Sequence, residues 1–466
     1  MRNKKISSGT RINAEKSRLF FSDLCSSAFI RVLTLFFLAA CAISPTPLAP
    51  TATPRARTDA PAERLSPTPA PNEIQLWFSA TPDQSIAINA RVEKFNATQT
   101  RVRVSANNIG AYTDLLKRVP LAQTFNVPPD LFLLNPSDIA AQIKSGAIIP
   151  LDDLMQDPDI GLRTTDGAGI FNAFIDRYPQ FNHRVYSLAP ARQMQVMFYN
   201  ADLLKSAGIS KPPETWDEFT RVCAAISKPP DIFCYALDLN ASDFAASVYA
   251  RGGELISADA KTVAFNSKPA LDALTQIKDH LTKGYAVPTK IAFQAPLDFA
   301  NRKIAFAFDS LAGLRAYEQS IKSADKPFNW SVATFPRASA NPNRVALVYG
   351  QAFAIYKSTR ERERAAFAFI KWMMDAAPSA EFAKAFGAFP ARETSRNLLS
   401  DYFSAHPAYA SAFDALKFAR TEPNVAGWSN IRVVIADSLA AVVSGKMSPP
   451  DALQDAEKKA NAILDK

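Results

Sequence analysis

Three His (His183, His280, His406) and four Cys (Cys25, Cys41, Cys223, Cys234) are all the soft metal ligands in the 466 residues, and they are scattered. That scatter excludes the usual zinc spacings and Cys-held clusters, so neither a metal nor a cofactor is expected. Nucleophilic catalysis has as little to work with. A Gly-x-Ser-x-Gly elbow is absent and three His leave little room for a triad, so the chain is not expected to be an enzyme. No Gly-rich loop that could cradle a phosphate occurs either. The formal charge of +9 is concentrated at the start of the chain; from residue 41 onward 46 basic residues face 42 acidic ones. So small an excess, with no Lys/Arg run carrying interleaved aromatics, argues against nucleic acid as a partner.

The thiols gain meaning from the segments that carry them. Residues 1–40 open with a basic stretch, Arg2 to Arg31, and continue as the apolar run Val32 to Ala40, which is too short to span a bilayer and reads as a signal peptide. The run ends in Leu38-Ala39-Ala40-Cys41, which matches a lipobox, so Cys41 is predicted to be acylated and to start the mature chain. Residues 41–72 are rich in Pro, Ala, Thr and Ser and cannot build a core; they are expected to form an extended linker. The body would then be extracytoplasmic and lipid-anchored to the cell membrane. Thiols oxidise there, and Cys223 and Cys234, the pair left in the body, are expected to form a disulfide.

From Glu73 the pattern alternates. Glu73 to Phe78 reads as a strand, and Ile88, Val92 and Phe95 mark a helix. Arg101 to Val104 is a second strand, Tyr112, Leu115, Leu116 and Val119 a second helix, and Asp130 to Leu134 a third strand. A βαβαβ order implies a mainly parallel sheet with ligands outside the carboxyl ends of its strands. A second block follows: a strand at Val196 to Tyr199, a helix capped by Asn200, and a capping box at Thr215-Trp216-Asp217-Glu218 opening a helix to Ile226. Strands are further expected at Lys303 to Phe308 and Val345 to Ile355, and helices at Glu361 to Asp375, Ile431 to Val443 and Pro450 to Leu464.

In this order the segments resemble the bacterial extracellular solute-binding proteins of family 1, the sugar-type receptors of ABC importers. The resemblance runs from Glu73 to Lys466. It rests on Pro129-Asp130-Leu131-Phe132, Ser145-Gly146-Ala147-Ile148-Ile149-Pro150-Leu151-Asp152, Phe198-Tyr199-Asn200, Ala207-Gly208-Ile209 and Pro212-Pro213-Glu214-Thr215-Trp216. Gly387-Ala388-Phe389-Pro390-Ala391-Arg392 and Pro450-Asp451-Ala452-Leu453 extend it. It implies an α/β fold of the type II periplasmic-binding-protein kind, two α/β domains joined by hinge crossovers. By analogy the chain crosses between lobes near Pro190 to Gln195, Phe293 to Ala300 and Leu347 to Gly350. The N-terminal lobe would hold residues 73–190 and 300–347, the C-terminal lobe residues 191–299 and 348–466.

A sugar offers apolar C–H faces and a rim of hydroxyls, so its receptor needs aromatic rings and planar amides or carboxylates. The resemblance places contacts at the end of the first strand, at Trp77 and Ser79; alternation sets Trp77 and Phe78 on opposite faces, so one of those rings is core. Asn135 follows the third strand and either touches the solute or caps the next helix. Gln193 and Gln195 fall in the first crossover. Asp309 ends an apolar run and either grips two hydroxyls or caps a helix. Tyr349, Gly350 and Gln351 sit at the last crossover, and Phe389 and Trp428 occupy positions where relatives stack an aromatic.

The function implied is a lipid-anchored, monomeric substrate-binding protein that captures a carbohydrate or related polyol and delivers it to the transmembrane subunits of an ABC permease. The alternative solute is a glycerol phosphate, because Gly427-Trp428-Ser429-Asn430-Ile431-Arg432 is similar to the arrangement in that branch; Arg392 or Arg432 would then hold the phosphate. A lipid-anchored hydrolase is the alternative of another class. A polyamine receptor would need several carboxylates, and the sequence suggests only Asp83 and Asp309.

Overall fold

Leu131, Phe132, Leu133 and Leu134 are buried on both faces, a burden only an interior strand can carry. In the first strand Ile74, Leu76 and Phe78 point into the core while Trp77 is half-buried, the alternation expected of a strand packed on one side. The structure is a computed structural model that describes residues 73–162, 169–291 and 294–465. The signal peptide, the linker, Cys41 and Phe293 of the expected second crossover lie outside the described residues.

In chain order the strands are β1 (Glu73–Phe78), β2 (Arg103–Asn108), β3 (Leu131–Leu134), β4 (Ile175–Tyr178), β5 (Arg184–Leu188), β6 (Ala191–Asn200) and β7 (Phe233–Leu237). They continue as β8 (Ala286–Pro288), β9 (Ile304–Ser310), β10 (Trp330–Ala333), β11 (Ala346–Tyr349), β12 (Ala352–Ile355), β13 (Phe389–Pro390) and β14 (Ala419–Thr421). Two sheets result. The first runs β2-β1-β3-β12-β5-β4, with β1 parallel to β2 and β3. The second runs β14-β11-β6-β9-β7-β8, with β10 and β13 also paired to β6. Each sheet belongs to one lobe of a two-lobed α/β fold, with helices covering the faces.

The strand partners divide the chain differently from the expected boundaries. β9 and β11 both pair with β6, so 304–349 builds the second sheet instead of returning to the first. The apolar run Ile304–Phe308 is completely buried up to its last residue, and the interior of the second sheet is where such a run is satisfied. Conversely β12 inserts between β3 and β5, and helix Arg360–Met373 packs on β1 and β12, so part of 348–466 belongs to the first lobe. The expected strand from Val345 to Ile355 is therefore two strands in two sheets. Gly350 separates them with φ +144°, a conformation side chains resist.

The basic start of helix Arg360–Met373 is anchored in the first lobe. Arg362 grips buried Asp130 with two bonds, Nε to Oδ1 at 2.7 Å and Nη2 to Oδ2 at 2.6 Å. Asp130 in turn accepts the backbone N–H of Gln75, so one carboxylate ties helix, β1 and β3 together. In the second lobe the capping box is present, with Thr215 Oγ1 accepting Glu218 N–H and the Glu218 carboxylate accepting Thr215 N–H. Buried Cys223 and Cys234 are bonded to each other, Cα to Cα 4.9 Å, joining helix Trp216–Ile226 to β7.

Candidate functional site

Three passages between elements build the wall of the cleft, two from strand to strand and one from helix to strand. β5 gives way to β6 at Pro190, β11 to β12 at Gly350, and helix Ala376–Phe386 to β13 at Gly387. Register fixes what they present: Tyr349 lies opposite Gln193 on β6, and Gln195 lies opposite Ser310 on β9. Two adjoining cavities share Asn135, Tyr349 and Gly350. One, of about 290 Å³, is lined by Ser79, Gln84, Gln193, Gln351 and Phe386. The other, of about 210 Å³, is lined by Ser137, Arg192, Glu422, Asn424, Trp428 and Arg432.

Seven of the eleven expected contacts therefore meet at one place: Ser79, Asn135, Gln193, Tyr349, Gly350, Gln351 and Trp428. Ser79 Oγ donates to Gly110 O at 2.7 Å, so its oxygen, at the cavity, keeps its capacity to accept. Asn135 occupies the cap position of helix Pro136–Lys144, yet its side chain makes no cap bond to the helix. Trp428 is buried with its edge on the cavity, and its Nε1 donates to Glu422 Oε2 at 2.7 Å.

Four expectations change. Phe389 is wholly buried, stacked on Tyr409 with ring centroids 4.5 Å apart, and is core. Trp77 packs against the first core with Arg118 over its ring at 5.6 Å, and it lines neither of the two cavities. Gln195 is buried as a brace: its Oε1 accepts Tyr349 OH at 3.2 Å and its Nε2 donates to Asp243 Oδ1 at 2.6 Å. Asp309 faces a third cavity, its Oδ1 accepting Ser310 N–H and its Oδ2 accepting Tyr317 OH at 3.0 Å. Burial pushes its carboxyl up from the usual range.

Several site residues escaped the sequence. Arg192 is fully buried, ion-paired with Asp176 of β4, and bonded through Nη1 to Gly350 O at 3.4 Å, so it clamps the crossover. A charged residue inside the apolar strand 191–198 was the available signal. Phe382 and Phe386 stack at 4.2 Å, and their i,i+4 spacing could have marked a shared face. Glu422 pairs with Arg432 and accepts Ser242 Oγ–H at 2.8 Å; nothing in the local pattern marked it. Arg392, once a phosphate candidate, instead donates through Nε to Met374 O inside the first lobe.

The arrangement can bind a polar solute. Comparison with known proteins agrees. The family model of the bacterial extracellular solute-binding proteins matches residues 90–411. The diacetylchitobiose binding protein DasA of Streptomyces coelicolor is 25% identical over 367 residues, 76% of this chain and 82% of that protein. The crystal structure of the cyclic alpha-maltosyl-1,6-maltose binding protein from Arthrobacter globiformis has TM-score 0.71 at 22% identity, covering 85% of this chain and 99% of that one. UgpB from Mycobacterium tuberculosis, in complex with glycerophosphocholine, has TM-score 0.67 at 22% identity, covering 84% and 98%. With its two sheets, its cleft at the crossovers and a family match over most of its length, the chain belongs to the bacterial extracellular solute-binding proteins.

Proposed function

We propose that the chain is the solute receptor of an ABC importer, takes a carbohydrate-type solute in the cleft at Gly350, and hands it to the permease. The observation that carries the solute class is the charge pairing of the cleft. Its two guanidinium groups are matched already, Arg192 by Asp176 and Arg432 by Glu422. What remains for a ligand are amides, hydroxyls and ring edges: Gln193, Gln351, Asn135, Ser79, Tyr349, Trp428 and Phe386. That is the set a sugar's hydroxyl rim and C–H faces require, and a phosphate would find both cations engaged. The sugar-binding relatives support the same class.

Receptors of this kind close by rotation of the lobes about their crossovers, and Gly350 with the Arg192 clamp supplies such a hinge. Acylation at Cys41 and a linker over residues 41–72 would hold the monomeric receptor at the outer face of the membrane. The test is a thermal-shift and calorimetric screen of mono- and oligosaccharides, plain and amino-substituted, beside glycerol-3-phosphate and glycerophosphocholine. A sugar should raise the unfolding midpoint, compact the protein in small-angle scattering, and bind about tenfold more weakly to Gln193→Ala, about 1.4 kcal/mol. A glycerol phosphate that binds more tightly than every sugar overturns the reading.

A further inference from the structure

Next to the cleft, and on the second lobe alone, lies a cavity of about 710 Å³ that the seven clustered residues do not touch. It is lined by Asp238, Thr289, Lys290, Phe308, Asp309 and Ala312 among others. A smaller cavity of about 50 Å³ adjoins it, sharing Asp238 and Phe308 and adding Asp243, Asn240 and the rings of Trp216 and Tyr235. Ala312 connects this region to the cleft. A Cβ placed on Gly387 would come within 3.2 Å of Ala312, and the residues flanking Gly387, Phe386 and Ala388, line the cleft. Gln195 connects it a second time, bonded to cleft residue Tyr349 on one side and to Asp243 on the other.

Asp238 and Asp309 thus face the larger cavity and Asp238 and Asp243 the smaller one, and all three carboxylates are held by neutral donors. Asp243 accepts from Gln195 and from Asn240 Nδ2 at 2.6 Å. Asp309 accepts from Ser310 and Tyr317, and Asp238 accepts from Thr289 Oγ1 and Asn240 Nδ2 at 3.4 and 3.3 Å. Among the described residues none of the three has an ion-pair partner, and Lys290 at the rim is exposed. The contrast with the cleft, where each cation meets a carboxylate, is complete. A divalent metal does not fit the spacing, since no group of three acidic or His residues among the described residues could hold one. Phe308 forms one wall of both chambers and packs on Phe335 at 4.7 Å, so an aromatic face stands beside the acids.

We infer that this cavity receives a protonated amine carried by the solute, so that the ligand is an amino-bearing saccharide whose ammonium lies among Asp238, Asp243 and Asp309 against Phe308. Carboxylates supply charge-assisted bonds to an ammonium, and the ring face supplies a cation–π contact. Burial, and then the neighbouring Asp309, push the Asp243 carboxyl well above the usual range, a penalty an arriving cation relieves. The inference rests on the carbohydrate reading of the cleft, and its test separates the two.

Calorimetry on the whole protein compares two disaccharides that differ only in whether their 2-amino groups are free or acetylated, the β-1,4 dimer of glucosamine and its N,N′-diacetyl form. The free amine should bind at least tenfold more tightly. Asp309→Asn and Asp238→Asn should each erase most of that preference while leaving the acetylated sugar's weaker affinity in place and the unfolding midpoint within a few degrees. Equal affinity for the two sugars, or tighter binding of the acetylated one, overturns the amine site and leaves the carbohydrate reading standing. Binding of spermidine with no response to either sugar overturns the carbohydrate reading and keeps the amine site.

Discussion

Asp176, fully buried, and Asp243, largely buried, both lie behind the binding wall, yet their surroundings are opposite. Asp176 meets the Arg192 guanidinium, Ser187 Oγ–H at 2.9 Å and Asn424 Nδ2 at 3.3 Å. Asp243 meets only the amides of Gln195 and Asn240. Burial pushes both carboxyls up; at Asp176 the arginine draws the group back, whereas at Asp243 the charges of Asp309 and Asp238 push further the same way. The first site is electrostatically closed and joins β4 of one sheet to β6 of the other, a structural role. The second is left with charge that neighbouring dipoles only partly balance, and that is the physical mark of a place where a ligand completes the structure.

The largest effect should come from opening the closed site. Arg192→Met leaves Asp176 buried against neutral partners, and unfolding in denaturant should show a loss of about 3–5 kcal/mol. Adding Asp176→Asn should recover part of it. A loss below about 1 kcal/mol would break the comparison, because Asp176 would then tolerate the condition in which Asp243 normally sits. A third buried group sharpens it. His280 is fully buried, 3.0 Å from Thr220 Oγ1, and burial lowers its pKa to about 4. The unfolded chain protonates this ring near pH 6.5 while the folded one resists until about 4. Stability should therefore fall as pH drops through that window, by about 3 kcal/mol in all. His280→Phe should flatten that slope in urea titrations at pH 6.5 and 4.5; an unchanged slope would place the acid sensitivity elsewhere.

The same contrast explains what the sequence could disclose. Local signals were legible wherever one segment carried the whole message: the strand alternation of 73–78, the capping box at Thr215, the amides beside Pro190 and the break at Gly350. Sheet membership was not. An apolar run such as Ile304–Phe308 satisfies either sheet equally, and only its pairing with Tyr199 through Met197 on β6 decides. Aromatics were ambiguous for a related reason, since Phe389 and Trp428 have the same composition signal and differ only in whether an edge reaches a cavity. Carboxylates were the hardest. Asp309 showed itself by ending an apolar run, but Asp238 and Asp243 join it only because β7 lies beside β9, so the sequence disclosed too few acids to suggest a cationic group.

The smallest predicted effect bears on the open site directly. Because the folded pKa of Asp243 is raised, its proton is held more tightly in the folded protein than in the unfolded chain. Its contribution to stability is full below the unfolded value near 3.8 and is lost as pH rises through the folded one. At neutral pH wild type therefore carries a cost that Asp243→Asn removes. The variant keeps one side-chain oxygen to accept from Gln195 or Asn240, so it should be more stable at pH 7 by on the order of 1 kcal/mol, the worth of a typical hydrogen-bond exchange. The gain should shrink toward pH 4, where wild type is protonated too. Urea denaturation of the two proteins at both pH values measures this. A variant less stable at pH 7 would mean that the carboxylate is held as firmly as Asp176 and that the two sites are alike. A stabilised variant that also binds the amino disaccharide more weakly would show stability and binding opposed at a single oxygen, the relation expected where folding leaves a charge for the ligand to meet.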